Sequence, residues 1–210
     1  MVLEAGCGVG SQTVTLAQRS PDARFTSVDI SVASVAEARR TTDAACLTNV
    51  RFQQADIFAL PVAPESFDHV FVCFVLEHLS RPVEALAILN GLLRPGGTMT
   101  VIVKLQRLAG GNALIGRQFY PLMIRAGLEA VRVSPRMVYV DSSSPDLVDC
   151  FTRKTFTAMI EGVRESALEA GITDAEAFDA GVRDLHRAAE ADGVFCYTFF
   201  KGADEKRRRL

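Results

Sequence analysis

The chain has 210 residues, of which 49% are hydrophobic and 23% are charged, and this balance predicts one globular domain over residues 1–210. The formal net charge of −2 provides no overall positive field for a polyanion, which disfavours nucleic acid as a partner. No apolar run is long enough to predict a membrane span, and the N-terminus lacks signal-peptide features. The five cysteines include no CxxC pair, so we expect reduced thiols and a cytoplasmic protein.

The first half of the chain alternates predicted strands and helices. Val2 and Leu3 end a strand that leads into a glycine-rich loop, and Ser11 can cap a helix that runs to about residue 19. Further strands are predicted at 24–30, 50–53, 69–75 and 98–103. Helices are predicted at 31–45 and 80–93, and a turn at 94–97. This alternation predicts an α/β fold with a doubly wound, mostly parallel sheet and a ligand crevice at the carboxyl ends of its strands.

The second half departs from this alternation. A looser helical segment containing Pro121 precedes a strand at 131–140, and the β-prone run 193–200 can return to the sheet edge beside it. The basic run 206–209 is interpreted as a solvated tail.

Two helices are predicted between these last strands. Residues 151–170 have the apolar spacing of an amphipathic helix, and Thr173 with Glu176 matches a capping box for a second helix. We therefore predict a helical-hairpin insertion at 143–192 within the single domain, where it is a possible substrate cap.

The glycine-rich loop holds Gly6, Gly8 and Gly10, which let the backbone turn sharply and leave no Cβ to block a ligand lying across it. A nicotinamide or flavin fingerprint needs glycine at position 11, where this chain has Ser11, and this disfavours a nucleotide-dependent oxidoreductase. Alone, the loop is a weak signal, because such turns also serve tight packing.

Two carboxylates follow predicted strands. Asp29 ends the second strand, where it can accept both hydrogen bonds of a ribose diol, or cap the helix that Ser31 opens. Asp56 follows the third strand and can accept from an exocyclic amine such as that of adenine, with Ile57 and Phe58 packing on the ring. As an isolated residue, Asp56 equally fits a turn.

His78 is a weak candidate for a catalytic residue. It lies in the segment after the fourth strand, near the expected position of a cofactor's reacting end, where it could act as a general base or bind a metal with Glu77. The residues that follow it equally suit a structural turn before a helix, and we favour that interpretation. No metal site is predicted.

Together, the segments VLEAGCGVG, VDIS, QADIFALP, ESFDHVFVCFVLEHL and LRPGG resemble the ordered motifs of class I methyltransferases that use S-adenosylmethionine (SAM). The resemblance is closest to the subgroup that includes ubiquinone and menaquinone biosynthesis enzymes, and it covers residues 1–103. It implies a seven-stranded sheet that ends in an antiparallel hairpin pairing. The cofactor-binding set that it implies is Glu4, Gly6, Gly8, Gly10, Asp29, Ile30, Asp56, Ile57 and Phe74.

The resemblance also implies a role for each part of this set. The glycines line the methionine part of SAM, Glu4 helps hold its amino group, and Asp29 binds the ribose hydroxyls. Asp56 contacts the adenine amine, Ile57 packs against the ring, and Phe74 borders the sulfonium.

The implied activity is in-line methyl transfer from SAM to a small-molecule acceptor, with release of S-adenosylhomocysteine (SAH). Members of the class normally carry helices before the first strand, which here begins at Met1, so we expect an N-terminally truncated chain. The segment at 104–111 is also shorter than in many relatives. Both departures motivate an alternative, a non-catalytic SAM-binding or scaffold protein derived from a methyltransferase.

Overall fold

A computed structural model describes residues 1–104 and 115–206 of the chain. The expectations for a short connection at 104–111 and a solvated tail at 206–209 therefore lie almost entirely outside the described residues. Two compact units are present: residues Met137–Thr198 form one, and the described residues on both sides of this segment form the other. The prediction of a single domain with a capping insertion stays a prediction.

Seven strands form one sheet, as the sequence predicts. The strands are β1 (Val2–Ala5), β2 (Phe25–Asp29), β3 (Val50–Gln54), β4 (Phe67–Cys73), β5 (Leu93–Lys104), β6 (Arg132–Val140) and β7 (Phe195–Glu205). Their order in the sheet is β3-β2-β1-β4-β5-β7-β6. The pairings β1–β2, β2–β3, β1–β4 and β4–β5 are parallel, whereas β5 and β7 are antiparallel. The α/β fold class is confirmed.

Helices α1 (Ser11–Arg19), α2 (Val32–Ala44) and α3 (Pro82–Gly91) lie between parallel strands. Within the described ranges the others are α4 (Ile115–Arg125) between β5 and β6, and α5 (Pro145–Leu147), α6 (Ala158–Glu161), α7 (Arg164–Glu169) and α8 (Ala175–Arg187) between β6 and β7. Short 3-10 turns cover Ile57–Ala59 and Leu76–His78, and a π-helix covers Val148–Thr157. No helix in the described part of the chain is long and apolar enough to cross a membrane.

The core of the first unit lies around the central strands, because a parallel sheet flanked by helices is buried on both faces. The apolar side chains there are fully buried and come from β4, β5 and the helix between them. They include Val70, Val72, Leu86, Leu89, Met99, Val101 and Val103.

The order of the strands reverses next to β1. The chain proceeds outward from β1 to β2 and β3 and then returns to place β4 on the other side of β1, so that Val2 pairs with both Phe25 and His69. A crevice forms at the carboxyl ends of the strands where such a reversal occurs. The glycine-rich loop follows β1 at this edge.

Several element boundaries in the first unit differ from the prediction, among them those of the fourth and fifth strands. The fourth strand was predicted at 69–75 but ends at Cys73, because Phe74 has a φ of +57° that is incompatible with a continuing strand. The turn predicted at 94–97 lies within β5, where the register with β4 shifts between Phe67 and His69. These residues therefore form an irregularity inside the strand, whose extra residues bend the chain without ending the pairing.

Helix capping also differs from the prediction at two sites. Ser11 was expected to cap α1, but Gly10 occupies the N-cap position with a φ of +82°, and Ser11 is the first helical residue. In the second unit, Asp174 rather than Thr173 caps α8, because its carboxylate accepts a 2.8 Å hydrogen bond from the N–H of Ala177.

The helix predicted at 151–170 is divided into the π-helix, α6 and α7. Five-residue spacing in the π-helix places Phe151 and Phe156 against the same aromatic ring of Phe195, with ring centroids at 5.9 and 4.8 Å. An α-helix would turn two residues with this spacing about 140° apart. The second predicted helix is present as α8.

Candidate functional site

A pocket of about 570 Å³ opens at the carboxyl ends of β1, β2, β3 and β4. Nine of the ten residues singled out from the sequence line it, and they come from four separate chain segments. These nine are Glu4, Gly6, Gly8, Asp29, Ile30, Asp56, Ile57, Phe74 and His78. Gly10 is not among the residues that line it. The alternation of strands and helices thus brings the candidate residues together, as expected for this edge of the sheet.

Each glycine of the loop meets a different local requirement. Gly6 has a φ of +83°, and an added Cβ would lie 2.3 Å from Cγ2 of Val75, which also lines the pocket. Gly8 has a φ of +53°, and its added Cβ would meet no described atom within 4 Å. At Gly10 an added Cβ would lie 2.9 Å from Cα of Ala38, so glycine allows α1 to approach α2 closely.

Glu4 extends from β1 into the floor of the pocket and is 3% exposed. The hydroxyls of Thr13 and Ser27 donate hydrogen bonds of 2.8 and 2.6 Å to its Oε2. Burial raises the pKa of the Glu4 carboxyl above its ordinary value, and the two hydroxyl donors oppose this shift. The two hydroxyls fix the orientation of the carboxyl group.

Asp29 stands at the end of β2 with both carboxylate oxygens engaged by backbone. Oδ2 accepts from the N–H of Gly8 and Oδ1 from the N–H of Ser31, each at 2.9 Å. The helix cap itself is Ser31, whose hydroxyl accepts from the N–H of Ser34. Asp29 therefore connects β2 to the glycine-rich loop, and each of its oxygens has a further lone pair with which to accept from a ligand.

Asp56 caps the 3-10 turn Ile57–Ala59, because its Oδ1 accepts a 2.9 Å hydrogen bond from the N–H of Phe58. The turn interpretation of Asp56 is thus present in the structure, and the residue lines the pocket as well. Ile57 is buried, and the guanidinium of Arg81 lies 4.4 Å from the centre of the Phe58 ring. This cation–π contact connects the 3-10 turn to the segment that precedes α3.

The segment after β4 forms another wall of the pocket. Phe74 and His78 both line it, and Phe74 packs edge-on against Phe199 with ring centroids 6.1 Å apart. Glu77 is buried and is not among the lining residues, so the pair Glu77 and His78 does not face the pocket together. Among the described residues, no group of three or more His, Cys, Asp or Glu side chains is arranged to hold a metal ion.

Several lining residues escaped the sequence analysis, among them Cys7, Gln12, Cys73, Val75 and Leu79. The amide of Gln12 donates to Sγ of Cys73 at 3.0 Å, which connects the first turn of α1 to the end of β4. Burial and the nearby Glu4 and Asp29 carboxylates raise the pKa of the Cys7 thiol to about 12, so it stays protonated. Except for Gln12, these residues lie next to predicted site residues in the sequence, and this adjacency is the signal that could have found them.

Comparison with protein families matches residues 2–97 to a methyltransferase domain. Among curated proteins, trans-aconitate 2-methyltransferase of Deinococcus radiodurans is 41% identical over 102 residues, which are 49% of this chain and 37% of the relative. Demethylmenaquinone methyltransferase of Thermus thermophilus is 34% identical over 101 residues, 48% of this chain and 46% of the relative. The chain spans from a quarter to about half the length of the first curated relatives it matches.

Solved structures share the fold. Phosphoethanolamine N-methyltransferase 2 of Haemonchus contortus, in complex with SAH, has a TM-score of 0.62 and 18% identity, and the match covers 99% of this chain and 49% of the other. The [4+2]-cyclase SpnF has a TM-score of 0.65 and 21% identity, with coverage of 99% and 75%. At these identities the similarity concerns the fold alone.

The ordered motifs, the domain match over residues 2–97 and the named methyltransferase relatives agree with one another. Residues 2–97 of the chain therefore form a domain of the SAM-dependent methyltransferase type, and SAM is the cofactor of this type of domain.

Proposed function

We propose that this chain transfers the methyl group of SAM to a small-molecule acceptor by in-line displacement and releases SAH. The observation that carries the proposal is the pocket at the strand-order reversal, where Glu4, Asp29 and Asp56 from three successive strand ends meet the glycine-rich loop. The order of these groups along the sheet matches the order of methionine, ribose and adenine in an extended SAM molecule.

The adenosine part of SAM is assigned to the ends of β2 and β3. Asp29 accepts from the two ribose hydroxyls, for which each of its oxygens keeps a lone pair. Asp56 accepts from the adenine amine, while Ile57 and Ile30 pack against the ring system. Ile30 is 67% exposed, so a bound adenine would remove apolar surface from water.

The methionine part is assigned to the end of β1. Glu4 accepts from the amino group, and Gly6 and Gly8 let the backbone approach the chain of the amino acid. Gly10 acts through the packing of α1 on α2, and its direct contact with the cofactor stays a prediction. Phe74 borders the sulfonium, where its aromatic face favours a cation.

When bound, SAM supplies a methyl group that is attached to a sulfonium. Because the sulfur leaves as a neutral thioether, the acceptor does not need strong activation. The residues of the chain then have to hold the acceptor in line and exclude water. Val75, Leu79 and Phe74 provide apolar walls at this end of the pocket. His78 lines the same wall and is the weak candidate for receiving a proton from the acceptor.

Binding of SAH tests the cofactor assignment. Asp29→Ala removes the ribose acceptor and should weaken SAH binding about 100-fold in calorimetry, because two charge-assisted hydrogen bonds are lost. Asp174→Ala is the matched control, since this carboxylate also accepts from backbone N–H but lies in the other unit. The control should lose about 1 kcal/mol of stability and keep its SAH affinity. Unchanged SAH affinity in Asp29→Ala contradicts the ribose assignment.

Formation of SAH from SAM in the presence of small-molecule acceptors tests the activity. Relatives named for trans-aconitate and for demethylmenaquinone make both compounds reasonable first acceptors. Similarity of the fold to a protein named as a cyclase shows that this architecture is compatible with other activities. Tight SAH binding without SAH formation over a broad acceptor panel favours the alternative of a non-catalytic SAM-binding or scaffold protein.

A further inference from the structure

We infer that Phe199 is a positioning residue that sets how strongly the pocket favours SAM over SAH, because it fixes the plane of the Phe74 ring beside the sulfonium. This inference rests on the proposed function, since it uses the assignment of Phe74 to the sulfonium end of SAM. It is carried by the backbone conformation of Phe74 and by the packing of the two rings.

Phe74 has an unusual backbone conformation for a bulky residue. Its φ of +57° lies in the left-handed region, which residues other than glycine adopt at a cost in free energy. Cys46 and Glu65 also have a positive φ, but neither is among the residues that line the pocket, whereas Phe74 is. Strained residues persist where the surrounding structure determines their conformation, and they cluster at functional sites. The conformation of Phe74 therefore points to a role in the pocket.

Contacts with two strands of the sheet hold Phe74 in this conformation. Its N–H donates a 2.9 Å hydrogen bond to the carbonyl of Ile102 in β5, so the backbone stays bound to the sheet where β4 ends. Its ring packs against the ring of Phe199 in β7, with centroids 6.1 Å apart and ring planes at 88°. The sheet thus determines both the backbone position and the ring plane of Phe74.

β7 in turn holds Phe199 in a defined position. Phe199 and Phe200 pair with the end of β5 in antiparallel register. The ring of Phe200 covers Gly116 so closely that an added Cβ there would lie 2.7 Å from Cε2 of the ring. Phe199 belongs to the same unit as Phe74. The support for the Phe74 ring is therefore part of the central sheet of this unit.

The end of β4 lies beside the end of β1, where the glycine-rich loop begins. Ala5 pairs with Val72 in parallel register, so Gly6 and Phe74 leave neighbouring strands at the same edge of the sheet. Val75, which follows Phe74, lies directly against Gly6. Gly6 is assigned to the methionine part of SAM, which ends in the sulfonium. These positions support the assignment of the Phe74 ring to the sulfonium.

The plane of the Phe74 ring decides whether the ring attracts the sulfonium. The face of an aromatic ring carries partial negative charge and its edge partial positive charge, so a cation is attracted over the face and repelled at the edge. The χ2 torsion of phenylalanine is broad, so a ring without a fixed neighbour samples many planes. The perpendicular ring of Phe199 restricts this torsion. Phe199 thus acts on the cofactor through Phe74.

Comparison of SAM with SAH separates this contact from the rest of the pocket. The two molecules differ in the methyl group and the positive charge on sulfur, whereas their amino acid, ribose and adenine parts are the same. General loosening of the pocket weakens both by the same factor, but loss of the ring plane weakens SAM alone. The Kd of SAH divided by the Kd of SAM therefore reports on Phe199. A higher ratio favours replacement of the product SAH by SAM.

Calorimetry with the whole 210-residue chain gives both Kd values for the wild type and each variant. Phe199→Leu and Phe199→Met keep an apolar side chain but remove the ring, whereas Phe199→Tyr keeps the ring. The matched control is Phe195→Leu, because Phe195 lies in the same strand and packs against the rings of Phe151 and Phe156 in the other unit. Thermal melting checks that each variant is folded, and two variants without the ring provide the ratio even where one of them does not fold.

We expect Phe199→Leu and Phe199→Met to lower the Kd ratio about threefold, which corresponds to the contribution of one aromatic pair. Phe74→Leu removes the ring beside the sulfonium and should lower the ratio about fivefold. Addition of Phe199→Leu to Phe74→Leu should lower it no further, because Phe199 acts through Phe74. Phe199→Tyr and Phe195→Leu should keep the wild-type ratio, although Phe195→Leu should lower the melting temperature.

A folded variant without the Phe199 ring that keeps the wild-type Kd ratio overturns the inference. A further threefold loss in the double variant also overturns it, because Phe199 would then act independently of Phe74. Both outcomes leave the cofactor assignment intact, since SAM and SAH still bind. A wild-type chain that binds neither molecule contradicts the proposed function itself.

Discussion

Gly6 and Gly127 form a matched pair that isolates one close contact in the pocket. Their φ angles are +83° and +82°, so an alanine at either position meets the same backbone strain. An added Cβ at Gly6 would lie 2.3 Å from Cγ2 of Val75, whereas at Gly127 no described atom lies within 4 Å. The difference between Gly6→Ala and Gly127→Ala therefore measures the contact with Val75.

The expected magnitudes follow from these distances. Left-handed backbone costs an alanine about 1–2 kcal/mol, and a less flexible unfolded chain returns about 0.4–1 kcal/mol, so Gly127→Ala should destabilise by roughly 1 kcal/mol. Gly6→Ala adds overpacking of about 1–3 kcal/mol. Because Val75 must move to relieve the contact and also lines the pocket, Gly6→Ala should weaken SAH binding as well.

Urea unfolding of the two single variants, of Val75→Ala and of the double variant Gly6→Ala/Val75→Ala provides a thermodynamic cycle. Removal of Cγ2 should recover about 1–3 kcal/mol of the loss caused by Gly6→Ala. Equal destabilisation by Gly6→Ala and Gly127→Ala, or an interaction energy near zero in the cycle, would refute this account of Gly6.

Two further predictions concern pH. The pKa of Glu4 is raised above its ordinary value of 4.5 in the folded chain. The carboxyl therefore contributes its full stability below pH 4.5, and this contribution is lost as pH rises through the folded-state pKa. The free energy of unfolding of Glu4→Gln should therefore increase relative to that of the wild type as pH rises. Burial, followed by the charge of Lys201, lowers the pKa of His69 in the folded chain. The contribution of His69 to stability is therefore present above pH 6.5 and is lost as pH falls below that value. The free energy of unfolding of His69→Gln should increase relative to that of the wild type on acidification. Urea titrations at several pH values check both, and a pH-independent difference for either variant contradicts the corresponding assignment.

The sequence predicts those features of the site that depend on strand ends. Asp29 directly ends β2 and Asp56 follows β3 closely, so hydrophobic runs and their boundaries suffice to place both carboxylates at one edge of the sheet. Glu4 required the resemblance to a family, because nothing in its spacing indicates burial beside Thr13 and Ser27. Hydroxyl partners 9 and 23 residues away are tertiary information.

The features that the sequence does not predict depend on details of backbone conformation. The φ of +57° at Phe74 ends β4 two residues early, and a phenylalanine gives no sequence signal for that conformation. The π-helix is a similar case, because its five-residue spacing satisfies Phe151 and Phe156 but leaves the buried Oγ1 atoms of Thr152 and Thr157 without a hydrogen-bond partner among the described residues. Tertiary aromatic packing outweighs local helical preference there.

The three carboxylates of the pocket share a property that bears on affinity. Each accepts at least one hydrogen bond from the chain: Glu4 from two hydroxyls, Asp29 from two backbone N–H groups and Asp56 from one. These bonds fix the orientation of the carboxylates before a ligand arrives, which reduces the side-chain entropy that binding must otherwise remove. Asp56 is thus both a capping residue and a candidate ligand contact, and Glu4 and Asp29 are likewise held by the chain where they are candidate ligand contacts. For Asp56, the turn interpretation and the ligand-binding interpretation that compete in the sequence are therefore compatible in the structure.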